Sequence, residues 1–187
     1  SEQAQRDVWG SNPNALVCGS YAPACKAEAV DGGYIISGRW SFASGCDCAQ
    51  WSLCSAILPA GEERDAPAPA FLLVPEKDYQ IEDTWHVIGL AGTGSKTLVL
   101  DKVFVPAHRA LLFSETTTGN TPGARLYAHQ PGFSIPMLSA IPSCLASVAV
   151  GTAHGALEDY LQRTSQRVTR GAVAGAHNKM AEFPTIQ

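Results

Sequence analysis

Between Ala15 and Pro106 the chain alternates short apolar runs with Gly, Pro and Asp punctuation. The runs are ALVCGSYAP (15–23), GYIISGRWSFAS (33–44), QWSLCSAIL (50–58), APAFLLVP (68–75) and TLVLDKVFVP (97–106). Each is rich in β-branched, aromatic or aliphatic residues, and none is separated from the next by a helical pattern of ten or more residues. That spacing predicts an antiparallel β-sandwich or barrel rather than repeated strand-helix-strand units. Asp31-Gly32-Gly33 is a tight-turn signal and predicts a hairpin over 25–40. The stretch PAGEERDAPAPA (59–70) has charge, Pro and Ala without a period, so it predicts an exposed loop joining two strands.

Near residue 133 the period changes. Leu138, Ile141, Leu145, Val148 and Thr152 recur three or four apart, and Leu157 and Leu161 continue the face, which predicts a helix within 135–170. Pro142 fits only a first turn or a kink, so the helix is expected to start nearer Ile141 than Ile135. Small residues such as Ser139, Ser143, Ala146, Gly151 and Gly155 line it, as in a helix that packs closely against a neighbour. A second helix is expected from about Ala176, running out at Gln187 in mid-pattern as though a domain were cut short. The fold class is therefore α+β: a β-domain over 1–132 and the start of a helical bundle, incomplete, over 133–187.

Composition removes several function classes. The 187 residues are 45% apolar and 16% charged, with a net charge of -4, and the thirteen basic residues are scattered. No electrostatic footprint for nucleic acid or an anionic membrane results. No apolar run reads as long as the roughly 20 residues of a bilayer span, and SEQAQRDVWG lacks the regions of a signal peptide, so a cytoplasmic location and no membrane partner are expected.

The densest chemistry lies in RWSFASGCDCAQW (39–51), which suits either a metal or disulfide knot on Cys46, Cys48 and Cys54 or an aromatic strand end facing a flat ligand. Cys46 and Cys48 have one intervening residue where structural zinc sites have two to four, and no second ligand pair follows at suitable spacing, so no metal is expected. The six cysteines read as free thiols, mostly small core residues. The glycine-rich GLAGTGS (89–95) lacks the Gly-Lys-Ser/Thr ending of a nucleotide P-loop and no helix follows it, which disfavours ATP. Taken alone, Trp40, Phe42 and Trp51 read more readily as sandwich core, with Ser44 capping a turn, because aromatic stripes usually serve packing.

SGRWSFASGCDCAQW followed by TWHVIGLAGTGSKTLVLDKVFVPAHR (84–109) resembles the middle β-domain of the acyl-CoA dehydrogenase superfamily. It is more similar still to the oxygenase components of reduced-flavin-dependent two-component aromatic monooxygenases. The resemblance implies a flavin, reduced FMN or FAD, seated against this segment, with Ser44 near its N5 and Phe42 beside the ring. A flat apolar plate with a polar edge needs such a wall and a few hydroxyl donors. Gly45 would leave room for the ring, and Thr93 and Ser95 would offer hydroxyls from the glycine-rich loop. Trp85 would wall the pocket, and His86 is a candidate catalytic residue beside Ser44. In the family an arginine usually stands where this chain has Ala91. Arg167 matches a position that touches the flavin phosphate of a neighbouring subunit, although Arg170 replaces the Phe that should follow it. His129 is a further candidate for reaching substrate.

The activity so implied is hydroxylation of a phenolic ring through a flavin C4a-hydroperoxide. A separate NAD(P)H:flavin reductase would supply the cofactor, O2 and a small aromatic would be the substrates, and the assembly would be a homotetramer. Two alternatives remain open on the residues: an FAD-dependent acyl-CoA dehydrogenase, whose corresponding strand usually ends in Trp-Ile-Thr-Asn, and an inactive fragment of such an enzyme.

Overall fold

The computed structural model describes residues 1–61, 64–168 and 179. The chain divides into two compact units, residues 1–137 and residues 138–187. The first holds two four-stranded sheets. One has the order β1-β4-β5-β8, built from β1 (Val17–Ser20), β4 (Trp51–Leu58), β5 (Ala68–Pro75) and β8 (Ala110–Leu112). The other has the order β2-β3-β7-β6, from β2 (Glu28–Val30), β3 (Gly33–Ala43), β6 (Gln80–Glu82) and β7 (Lys96–Pro106). Between them lies one core, in which Ile36 and Trp40 of β3 and Leu98 and Leu100 of β7 meet Cys54, Ala56 and Leu58 of β4 and Leu72 and Val74 of β5.

The expected hairpin forms: β2 pairs with β3 from Val30↔Gly33 outward, and Gly32 takes the positive φ of +73° that the turn requires. The segment joining β4 to β5 is shorter than expected, because Ala68 to Ala70 already pair with β4. Among these eight strands the pairings are antiparallel except that β1 runs parallel to β4, Val17↔Trp51 to Ser20↔Cys54. The chain crosses to the other sheet through β2 and β3 before β4, so β1 and β4 enter their sheet in the same direction.

Helix α1 (Glu2–Trp9) was not foreseen. It carries few apolar residues, and its hydroxyl cap Ser1, accepting from the Ala4 amide, leaves only a faint trace in sequence. Val8 packs with Ala15 and Leu73 on the outer face of the first sheet, against Trp51 and Leu53. This second layer explains why Phe71-Leu72-Leu73-Val74 is a continuous apolar run: β5 is covered on both faces. Trp51 accordingly belongs to that outer layer rather than to the sandwich interior, and the Arg109 guanidinium lies 5.0 Å over its ring. The short helices α2 (Phe113–Thr118) and α3 (Pro122–Leu126) follow β8 and also escaped the periodicity.

In the second unit, α4 (Met137–Gln166) covers 30 residues. It begins four residues earlier than Ile141 and holds Pro142 in its second turn. Pro142 has no N–H for the Leu138 carbonyl, so the ladder loses one bond there. The Ser143 hydroxyl bonds the next carbonyl, that of Ser139, at 2.7 Å. By length and composition α4 is apolar enough to cross a membrane, which corrects the reading from run lengths: Ser, Gly and Ala break the runs without adding charge. The same composition also suits a core helix of a soluble bundle. The expected helix from Ala176 lies outside the described residues.

Two predictions test this packing. Asp7 of α1 accepts from His108 at 2.8 Å and Arg109 at 2.6 Å, tying the helix to the turn before β8. Burial alone would raise its carboxyl, but hydrogen bonds from His108, Arg109 and Gln3 overcome that and hold it at about 2, below the ordinary 3.8. Its contribution is therefore fully present above that ordinary value and lost as pH falls through about 2. In urea melts Asp7→Asn should lose about 2 kcal/mol at neutral pH and show a shallower loss on acidification. The second concerns Phe42, which sits at φ +63° where β3 bulges. Both Phe42→Gly and Phe42→Ala remove the ring, but only Gly relieves the backbone. The Gly variant should be the more stable of the two by about 1 kcal/mol, the reverse of the usual order in a strand.

Candidate functional site

The site forms where β3 ends against the start of β7. Trp40 pairs with Leu98 and Ala43 with Lys96, so three residues on β3 match two on β7 and one residue is extra. This bulge breaks the alternation that would have put Phe42 and Ser44 on one face of a regular strand. Phe42 is instead turned outward, 71% exposed, and meets the Trp85 ring edge-on at 6.1 Å between centroids. Ser44 lies just past the strand, and Gly45 takes φ +78° to turn the chain into a short 3-10 turn over Cys46–Cys48. A Cβ on Gly45 would meet no protein atom within 4 Å, and its positive φ is what the turn itself requires of a glycine. Its amide donates to the Thr93 carbonyl at 2.8 Å, stitching the strand end to the glycine-rich loop.

That stitch brings three hydroxyls into line. Ser44 Oγ lies 2.7 Å from Ser95 Oγ, Ser95 Oγ 2.6 Å from Thr93 Oγ1, and Thr93 Oγ1 donates to the Leu90 carbonyl at 2.9 Å. Trp85 Nε1 donates to the same carbonyl at 3.0 Å. Beside the line opens a cleft of about 320 Å³, lined by Arg39, Ser41, Phe42, Thr84, Trp85, Val87, Ser95 and Thr97. Ser44 stands exposed at its rim through its bond to Ser95. A hollow of about 370 Å³ near α1 is more apolar, but its charged groups are already engaged: Asp7 holds His108 and Arg109.

Five of the expected residues, Phe42, Ser44, Trp85, Thr93 and Ser95, are thus joined in one constellation, and Gly45 anchors it. His86 is exposed on the same loop, outside the cleft lining. Arg167 follows α4 in the second unit, exposed, its amide bonded to the Thr164 carbonyl. His129 is exposed in a turn after α3.

Sequence reasoning passed over Thr97, Thr84 and Ser41, which form a second hydroxyl cluster: Thr84 to Thr97 at 2.8 Å and Thr97 to Ser41 at 3.3 Å. Thr97, two residues beyond Ser95 near the start of β7, is buried like it and lines the same cleft. The same reasoning passed over Asp47 and Lys96, paired at 3.0 Å across the base of the turn. The hydrogen bond to Asp47 pushes the Lys96 ammonium pKa up.

The cysteines hold no bridge: all six are free thiols. Cys18, Cys46 and Cys54 are in the sandwich core, as expected of small apolar residues, whereas Cys48 and Cys144 are exposed. Burial raises the thiols of Cys18, Cys25 and Cys46 and pushes that of Cys54 up to about 12, so these groups are poor nucleophiles and poor metal ligands at neutral pH.

The arrangement joins an aromatic pair, an apolar loop and a directed set of hydroxyls, with one exposed ion pair, Arg39 and Glu82, at its edge. Such a surface fits a flat ring with a polar rim: Phe42 and Trp85 can wall the ring and the hydroxyls can meet its heteroatoms. No family model matches the chain. It is 64% identical, over 186 residues and all of its length, to 45% of the oxygenase component of an FADH(2)-dependent resorcinol hydroxylase from Rhizobium sp. (strain MTP-10005). The crystal structure of the HsaA monooxygenase from M. tuberculosis superposes on 95% of the chain and 45% of its own, at 35% identity and a TM-score of 0.81. XiaF from Streptomyces sp., in complex with FADH2 and glycerol, superposes on 99% of the chain and 45% of its own, at 26% identity and a TM-score of 0.77. The chain spans about half the length of the curated relatives it matches. Over its whole length the chain is thus similar in sequence to oxygenase components of flavin-dependent monooxygenases, and it shares the acyl-CoA dehydrogenase-like fold of their solved structures.

Proposed function

We propose that the chain is the flavin-facing part of the oxygenase component of a two-component monooxygenase that hydroxylates a small phenol. Reduced FAD is favoured over reduced FMN, because FADH2 stands in the names of both the Rhizobium relative and the XiaF complex. The observation that carries the reading is the line of hydroxyls ending at Ser44 beside the Phe42–Trp85 pair, in a chain 64% identical to a resorcinol hydroxylase component. Residues 1–132 then make the middle β-domain and 133–187 the start of a helical bundle. Its exposed Leu145, Val148, Leu157 and Leu161 would be covered by further helices within a homotetramer. On the same reading the enzyme is cytoplasmic and works with a separate NAD(P)H:flavin reductase, without nucleic acid or a membrane.

Bound at the cleft, a reduced flavin would supply the electrons that let O2 place one oxygen atom on the phenol ring and release the other as water. The chain's own residues do the positioning. Phe42 and Trp85 set the plane of the ring, Val87 and the exposed Leu90 shield it from water, and Ser44 provides the hydroxyl at its polar edge. His86, on the loop beside Trp85, is proposed to assist by exchanging a proton with the phenol. Arg167 is proposed to reach the flavin phosphate of a neighbouring subunit.

The test is a single turnover of the full-length protein with reduced FAD, O2 and resorcinol, reading hydroxylated product against hydrogen peroxide. Product should form, and Ser44→Ala should shift the product-to-peroxide ratio towards peroxide about tenfold, the worth of one hydrogen bond to the ring. Bleaching of bound oxidised FAD by an acyl-CoA, without hydroxylation, would instead establish the dehydrogenase alternative.

A further inference from the structure

The three hydroxyls of the site have a direction, and the direction is fixed at one end. A carbonyl oxygen can only accept, so the 2.9 Å contact between Thr93 Oγ1 and the Leu90 carbonyl requires the Thr93 hydrogen to point at Leu90. The carbonyl is itself held in place by Trp85 Nε1 at 3.0 Å and by the Thr93 amide at 3.1 Å. With its one hydrogen spent, Thr93 must accept from Ser95 across 2.6 Å, and Ser95, its hydrogen spent in turn, must accept from Ser44 across 2.7 Å. The opposite direction would leave two oxygen atoms facing each other at 2.9 Å with no hydrogen between them. Ser44 is therefore left with lone pairs, and no hydrogen, for whatever approaches the rim of the cleft.

We infer that Thr93 and Ser95 are positioning residues that make Ser44 a hydrogen-bond acceptor, and that this polarity selects reduced over oxidised flavin. The inference rests on the flavin reading above. Reduction of a flavin converts N5 from a ring nitrogen with a lone pair into an N–H donor. An acceptor serine meets the reduced form with a hydrogen bond and the oxidised form with two opposed lone pairs. The site thus carries its redox preference in a neutral relay, without a charged residue at N5.

The variant Thr93→Val keeps the shape of the side chain and removes the hydroxyl, so Ser95 and Ser44 become free to turn round. Ser95→Ala cuts the line next to Ser44. Thr93→Ser retains the donor and serves as the control. The readout is the ratio of Kd for oxidised FAD to Kd for reduced FAD, measured anaerobically by titration of the full-length protein. The unaltered protein should favour reduced FAD, Thr93→Val and Ser95→Ala should shrink the ratio about tenfold, and Thr93→Ser should preserve it. If flavin binds and both hydroxyl-deleting variants keep the original ratio, the relay has no such role while the flavin reading stands. If the unaltered protein binds neither form of FAD, the flavin reading itself falls and this inference with it.

Discussion

The fully buried indole of Trp40 holds the two sheets in register with one another. From β3 it crosses the core and donates to the Ser55 carbonyl of β4 at 2.7 Å, so a strand of one sheet is tied at a fixed depth to a strand of the other. Close by, Ser20 on β1 donates to the Ser41 carbonyl at 2.8 Å. These two bonds bracket the point at which β3 leaves regular pairing. Because Trp40 cannot slide, the extra residue of the bulge has to be absorbed immediately after it, and Phe42 is expelled from the core rather than buried in it. The aromatic wall, the glycine turn and the Ser44 hydroxyl all take their positions from that constraint.

How much of this could be read from sequence depended on whether a feature was local. The β3, β4, β5 and β7 runs are dense in strand formers and bounded by turn residues, and they appear as expected; the Asp31-Gly32 hairpin needed no information beyond itself. Helix α1 gave too little signal because a single face of two turns, built around Val8, carries its burial. The parallel pairing of β1 with β4 joins residues some 34 apart and leaves no mark on either strand's composition. Ser44 and Ser95, 51 residues apart, were each singled out, but only the fold puts them 2.7 Å from each other. What brought them together on paper was the resemblance of two motifs to a family, not periodicity. The bulge was misread for a physical reason: alternation presumes a regular pleat, and one inserted residue cancels it.

The candidate site is notable for its electrical neutrality. Apart from Arg39, its lining side chains are rings, aliphatics and hydroxyls, and Arg39 is paired with Glu82, as Lys96 is with Asp47. A protein that performed the bond-making itself would need a perturbed acid, base or nucleophile in the cleft. A surface that orients and shields a reactive cofactor needs shape, dryness and correctly aimed hydrogen bonds. The residues present match the second description.

The distribution of thiols acquires meaning beside such a cofactor. Reduced flavin and oxygen yield peroxide whenever turnover miscarries, and peroxide attacks thiolates far faster than thiols. Cys54 lies deep between the sheets with its proton held to about 12, and Cys18 and Cys46 share the same apolar shelter. On the proposed function, these buried thiols would offer little thiolate to that oxidant. An exposed thiol such as Cys48 would instead meet that oxidant without any opening of the fold.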